Sequence, residues 1–129
     1  MPLMKIHVRK GRSPEQIATL MNSIHMAMVR SFDVPERDRY QILCEHEHSH
    51  FCAQDTGLSI DRTDNFLLLE VVSRPRSQKQ KTAFYANLCD DLARNCSIAP
   101  TDVLISFVEN TDADWSFGYG RAQFLTGEL

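Results

Sequence analysis

The sequence predicts an α/β (α+β) fold in which two tandem βαβ units share one four-stranded mixed sheet, with two helices on one face. Three observations lead there. Four short stretches read as strands, at residues 2–8, 40–44, 66–72 and 103–108. Two longer stretches between them carry apolar residues at helical spacing. The two halves also overlay without a gap on a shift of 64 positions. Leu3 then falls on Leu67, Val8 on Val72, Arg12 on Arg76, Ser13 on Ser77, Gln16 on Gln80, Arg30 on Arg94, Asp38 on Asp102 and Glu45 on Glu109. A shared register of that length reads as a true internal repeat.

The elements follow in order. After the first strand, Ser13-Pro14-Glu15-Gln16 sets a helix start. Ser13 is a good N-cap, Pro14 suits the first helical position, and Gln16 completes a capping box. Ile17, Leu20, Met21, Ile24, Met28 and Phe32 then recur at helical spacing, and Val34-Pro35 ends the helix. Tyr40 to Cys44 reads as the second strand. Glu45 to Asn65 is polar and irregular, with a turn signal at Asp55-Thr56-Gly57, and reads as a hairpin or a long connection. Phe66 to Val72 is the most apolar run. Gln78 to Asn95 reads as the second helix, with Phe84, Leu88 and Leu92 on one face. Pro100 breaks the chain before the last strand. The tail around Trp115-Ser116-Phe117-Gly118-Tyr119-Gly120 reads as a short hairpin or an arm reaching a neighbouring subunit. Residues 1–129 thus form one domain, with repeat halves at about 2–46 and 66–110 and a C-terminal aromatic arm at 111–129.

Topology gives the repeat a consequence. Each strand–helix–strand unit has parallel strands joined by a right-handed crossover. Pairing the first strand antiparallel to the third makes one sheet from both units and sets Pro2 beside Arg74 and Arg76. Strand three is apolar on both sides, with Leu67, Leu69 and Val71 on one and Phe66, Leu68 and Val72 on the other. One helical layer covers only one face, so self-association through the other is expected.

Bulk properties narrow the function. The chain has 129 residues, 43% hydrophobic, and a net charge of -3 with both signs intermixed. There is no basic run to bind nucleic acid and no apolar stretch of membrane-spanning length. Lys5, His7, Arg9 and Lys10 interrupt the first apolar residues, unlike a signal peptide. A cytoplasmic protein with Cys44, Cys52, Cys89 and Cys96 reduced is expected.

Candidate chemistry concentrates at a few places. Pro2 follows Met1, and removal of Met1 exposes a secondary amine able to act as base, acid or iminium-forming nucleophile. Arg74 and Arg76 flank Pro75 where a buried strand ends, and an arginine fork suits a carboxylate. Solvation or pairing with acids is the commoner fate of such arginines. Asp38 is either a loop acid or a group that holds water or acts on the amine. His46, His48 and His50 would project to one face of an extended segment, as metal ligands or as an incidental histidine-rich surface. Trp115, Phe117 and Phe124 are either plain packing or the dry wall of a polar pocket.

The combination resembles the tautomerase superfamily nearly end to end. The resemblance is carried by Met1-Pro2-Leu3, Asp38-Arg39-Tyr40-Gln41, Asp55-Thr56-Gly57-Leu58, Ser73-Arg74-Pro75-Arg76-Ser77 with Gln80-Lys81, and Val108-Glu109-Asn110. The tail adds Asp112-Ala113-Asp114-Trp115-Ser116-Phe117-Gly118 and Phe124-Leu125-Thr126-Gly127. It implies a homotrimer that uses neither metal nor organic cofactor. It implies Pro2 as catalytic amine, Arg74 and Arg76 as carboxylate-handling residues, Asp38 as the assisting acid, and Trp115, Phe117 and Phe124 as the substrate-lining wall. The implied activity is cofactor-independent decarboxylation of a small 3-oxo acid, malonate semialdehyde to acetaldehyde and carbon dioxide. Keto–enol tautomerisation of a 2-oxo acid of the phenylpyruvate type is the alternative enzyme, and a non-catalytic trimeric binding protein the alternative outside catalysis. The histidine-rich stretch within Cys44 to Asp64 departs from the family pattern.

Overall fold

The strand order is β2-β1-β3-β4, in a computed structural model that describes residues 1–129. β1 (Leu3–Arg9), α1 (Pro14–Phe32) and β2 (Tyr40–His46) make the first unit, and β3 (Leu67–Ser73), α2 (Gln78–Cys96) and β4 (Val103–Glu109) the second. β1 is parallel to β2, β3 is parallel to β4, and the central β1–β3 pair is antiparallel. This is the tandem βαβ arrangement the sequence predicts, with strand ends displaced by one or two residues.

Local chemistry explains both helices. Ser13 Oγ accepts from the Gln16 backbone N–H while the Gln16 side chain accepts from Ser13 N–H. Ser77 and Gln80 build the same capping box. Each box satisfies donors that a helix start leaves unpaired. Each helix ends on a left-handed residue, Asp33 and Ser97.

Met4, Ile6 and Val8 of β1 and Leu67, Leu69 and Val71 of β3 turn to the helices. There they meet Leu20, Ile24 and Met28 from α1 and Phe84, Leu88 and Leu92 from α2. Burying side chains of this size stabilises by about 1.5–3 kcal/mol each before entropy is counted. Polar pairs mirror one another across the helix contact: Asn95 donates to Ser23 Oγ at 3.2 Å, and Asn87 to Ser31 Oγ at 3.0 Å. Those four residues are two pairs of repeat mates, so the pseudo-twofold runs through the helix interface.

The repeat is not gapless to its end. Leu3 faces Tyr40, whereas its mate Leu67 faces Val103. The second half is one residue shorter between helix and strand, and register sets His46, not Glu45, opposite Glu109 in the repeat.

The other sheet face carries Leu68, Val72 and Leu104, partly buried, and exposed Ile42 and Val108. Phe66 does not belong to that uncovered set. It is 2% exposed, packed against Phe51 at 5.4 Å and under Arg62 at 5.2 Å. The 47–66 connection contains a single 3₁₀ turn, His48–His50, and no hairpin. That turn breaks the extended run on which a common histidine face depended. His46 instead stacks on His7 at 5.1 Å, His48 points to the Lys10 carbonyl, and His50 is exposed.

The tail forms neither a hairpin nor a projecting arm. A 3₁₀ turn at Asp112–Asp114, one bridge between Gly118 and Arg121, and a short α3 (Gln123–Thr126) fold it against the chain's own strand ends. Gln123 knits the tail to itself, donating to the Gly118 carbonyl and accepting from Phe117 N–H. No helix is long and apolar enough to cross a membrane.

Candidate active site

Register alone assembles the site. Leu3 opposes Val72 on one side and Tyr40 on the other. The chain start therefore enters between the end of β3, with Arg74 and Arg76, and the start of β2, with Asp38. Three segments distant in sequence meet at one sheet end.

Asp38 is placed by a tight turn. Its backbone N–H donates to the Pro35 carbonyl at 2.9 Å. The buried His25 ring contacts the Glu36 carbonyl at 2.6 Å and ties that turn to α1. Asp38 is 6% exposed, and the Met1 amine lies 3.2 Å from its Oδ2. That amine engages Oδ2, and Oδ1 has no hydrogen-bond partner. A buried carboxylate with open acceptor positions is costly, and functional sites are where such groups persist.

The amine feels opposing influences. Burial lowers its pKa, Asp38 raises it, and the charges of Arg76 and Arg74 lower it again, for a net downward shift. With Met1 in place the free amine is that of Met1, while Pro2 is buried directly behind it.

The two arginines differ sharply in their commitments. Arg74 Nε is 2.6 Å from Asp112 Oδ1, and its guanidinium lies over the Phe124 ring at 4.1 Å. Arg76 has no carboxylate partner within 4.0 Å. Its Nε donates to Ser73 Oγ at 3.3 Å, and its guanidinium rests over Phe32 at 5.1 Å. Ser73 Oγ also donates to the Arg74 carbonyl, which folds this short segment back on itself. Burial lowers the Arg76 pKa, and the neighbouring Arg74 charge adds to it, with Asp38 opposing. Arg76 is thus a half-buried guanidinium with an unclaimed fork.

An aromatic wall completes the site. Trp115 stacks on Phe117 at 5.5 Å, Phe124 meets Phe117 edge-on at 5.4 Å, and Tyr40 packs on Phe117 at 5.8 Å. Trp115 Nε1 donates to Asn110 Oδ1 at 2.8 Å, which fixes the indole. Trp115, Phe117 and Phe124 thus gather beside Arg74, and Pro2, Asp38, Arg74 and Arg76 converge on the other side.

Sequence reading did not give Tyr40, Phe32, Ser73 or Asp112 a place here. Tyr40 had a readable signal, because it lies two residues after Asp38 in the same motif. Asp112 had none, since its pairing with Arg74 depends on the path of the tail.

Comparison with known proteins gives the family. Two family models, both described as tautomerase enzyme, match residues 2–60 and 38–118. The Bacillus subtilis (strain 168) protein named probable tautomerase YrdN is 46% identical over 129 residues, covering all of both chains. The chain belongs to the tautomerase family. Among solved structures, a malonate semialdehyde decarboxylase, described with decarboxylase and hydratase activities, is 49% identical with a TM-score of 0.96 over 98% of each chain. The malonate semialdehyde decarboxylase called FG41, inhibited by 3-bromopropiolate, is 37% identical with a TM-score of 0.94, over 98% of this chain and 97% of its own.

Proposed function

We propose that this enzyme decarboxylates malonate semialdehyde to acetaldehyde and carbon dioxide, using the Pro2 amine released by removal of Met1. The observation that carries the reading is the convergence of the chain's amine, a buried Asp38 paired with it, and the unclaimed Arg76 fork at one sheet end. The similarity to two malonate semialdehyde decarboxylases over nearly the whole chain supports the substrate.

The geometry supports a division of labour. Arg76 binds the substrate carboxylate, since Arg74 is already paired with Asp112. The aromatic wall excludes water beside it, which strengthens charge interactions. Burial lowers the pKa of the Met1 amine at this sheet end, and Pro2, buried beside it, meets the same desolvation once Met1 is removed, which favours a neutral nucleophile. The Pro2 nitrogen attacks the aldehyde carbon, and loss of water leaves an iminium. The carboxylate C–C bond then breaks, its electron pair flows into the iminium to give an enamine, and carbon dioxide departs. Protonation at carbon and hydrolysis release acetaldehyde and the free amine. Asp38 accepts and returns the water protons.

The apolar residues on the second face of the sheet, Ile42, Leu68, Val72, Leu104 and Val108, support self-association, and the family resemblance implies three copies. Sedimentation giving a stable monomer would count against that assembly. The reaction is assigned to the cytoplasm, where Cys44, Cys52, Cys89 and Cys96 stay as free thiols.

The second reading, tautomerisation of a 2-oxo acid, is favoured by the same lowered amine pKa, which also suits a base, and by the name of the Bacillus relative. Parallel assays of malonate semialdehyde and phenylpyruvate separate them. Turnover of phenylpyruvate alone would reject the decarboxylase reading.

A further inference from the structure

The pseudo-twofold that builds the Pro2 end also builds the opposite end of the sheet. There it carries Arg76 onto Arg12, Arg74 onto Lys10 and the Ser77 cap onto Ser13. A cavity of about 620 Å³ opens at that end, lined by Arg9, Lys10, Arg12, Gln16, Asn65 and Cys96 among others. The parallel extends to the state of each cation. Lys10 is paired with Glu47, as Arg74 is with Asp112. Arg12, like Arg76, has no carboxylate within 4.0 Å; its Nη2 donates only to the Asn65 carbonyl at 3.1 Å. Burial lowers the pKa of both free arginines. Arg9 adds a third cation to the wall, and its Nε is buried with no partner. Glu15 and Asp64 also line the cavity. Asp64 lies 3.5 Å from Arg9 and 3.8 Å from His48, so it is engaged.

What differs between the ends is the reactive part. Phe66, the repeat mate of Pro2, is a sealed core ring. Asp102, the mate of Asp38, accepts from Thr63 N–H at 2.7 Å and from Thr63 Oγ1 at 2.6 Å, so its carboxylate is fully used. Phe32 under Arg76 is matched by Cys96 beside Arg12; burial pushes that thiol up, and the Ser23 hydrogen bond and the Arg12 charge oppose it. This end retains an arginine fork in a recess but has neither amine nor open acid.

We propose that the Arg12 cavity is a second, non-catalytic site for a small carboxylate, held by the Arg12 fork. A planar guanidinium half-buried in a recess binds carboxylate bidentately, and the pseudo-twofold presents it as it presents Arg76. The site is independent of the chemistry assigned to Pro2.

Cys96 is a built-in reporter. The probe is malonate, and the readout is the rate of iodoacetamide modification of Cys96 in the full-length native protein, resolved by peptide mass spectrometry. Malonate is expected to slow Cys96 modification several-fold in the wild type and in Arg76→Gln. The protection should disappear in Arg12→Gln and partly return in Arg12→Lys. Absence of protection in the wild type overturns the proposal. So does full protection in Arg12→Gln, or loss of protection in Arg76→Gln with Arg12 intact. Because Arg76→Gln disables only the Pro2 end, failure of the Pro2 mechanism and failure of this site give different results.

Discussion

The two ends of the sheet are repeat mates with different contents. At the Pro2 end the chain start lies between Asp38 and the arginines, its amine paired with Asp38 Oδ2 while Oδ1 has no partner. At the Arg12 end, Phe66 fills the mate's place and Thr63 satisfies Asp102. The scaffold therefore supplies an arginine fork twice and a reactive amine once. What distinguishes the two ends is the chain start seated beside a buried acid, not the fold that both share.

The largest effect should fall on the shared core. Ile24 and Leu88 are repeat mates, both fully buried. Replacing either with Ala should lower unfolding free energy by about 3 kcal/mol, measured by urea titration. A gap of more than about 1.5 kcal/mol between the two would show that the core is less symmetric than the backbone.

Next comes the arginine pair. Arg76→Ala should lower kcat/KM for malonate semialdehyde by about 2 kcal/mol, roughly thirtyfold, as expected for a lost charge-assisted hydrogen bond. Arg74→Ala should cost less, because that side chain is already paired with Asp112. The reverse order in steady-state kinetics would transfer the carboxylate to Arg74.

A pH profile tests the acid. Asp38 raises the pKa of the Met1 amine against the downward pull of burial, and the Pro2 amine released at the same place is expected to feel the same charge. Asp38→Asn removes that support, so the arm of the rate profile that reports the amine should move to lower pH. Asp102→Asn should leave that arm in place. An unmoved arm in Asp38→Asn would remove the amine–carboxylate coupling.

The smallest effect is at the caps. Ser13→Ala and Ser77→Ala should each cost about 1 kcal/mol in stability, because the two capping boxes are alike. Unequal costs in thermal melts would show that one helix start is held by something beyond its cap.

Much of this was legible in the sequence for a definite reason. Capping boxes, apolar spacing and the repeat are local or periodic signals, so strands and helices fall within one or two residues of their expected bounds. Pro2 beside Arg74 and Arg76 followed from topology, because antiparallel pairing of two βαβ units fixes which strand ends are neighbours. Other features depend on loops whose paths carry no periodic signal. The pairing of Arg74 with Asp112, the burial of Phe66 beneath Phe51, and the stacking of His46 on His7 are of that kind. The one-residue slip in the second half was hidden because the identities Asp38/Asp102 and Glu45/Glu109 align without a gap.

The central claim is that the reactive group is the amine at the chain start. The direct measurement is mass spectrometry of the mature protein after incubation with malonate semialdehyde and borohydride. The account predicts a chain beginning at Pro2 that carries a reduced adduct on its N-terminal peptide, with the yield falling in Arg76→Ala. An active enzyme that retains Met1, or an adduct confined to another residue, would contradict it.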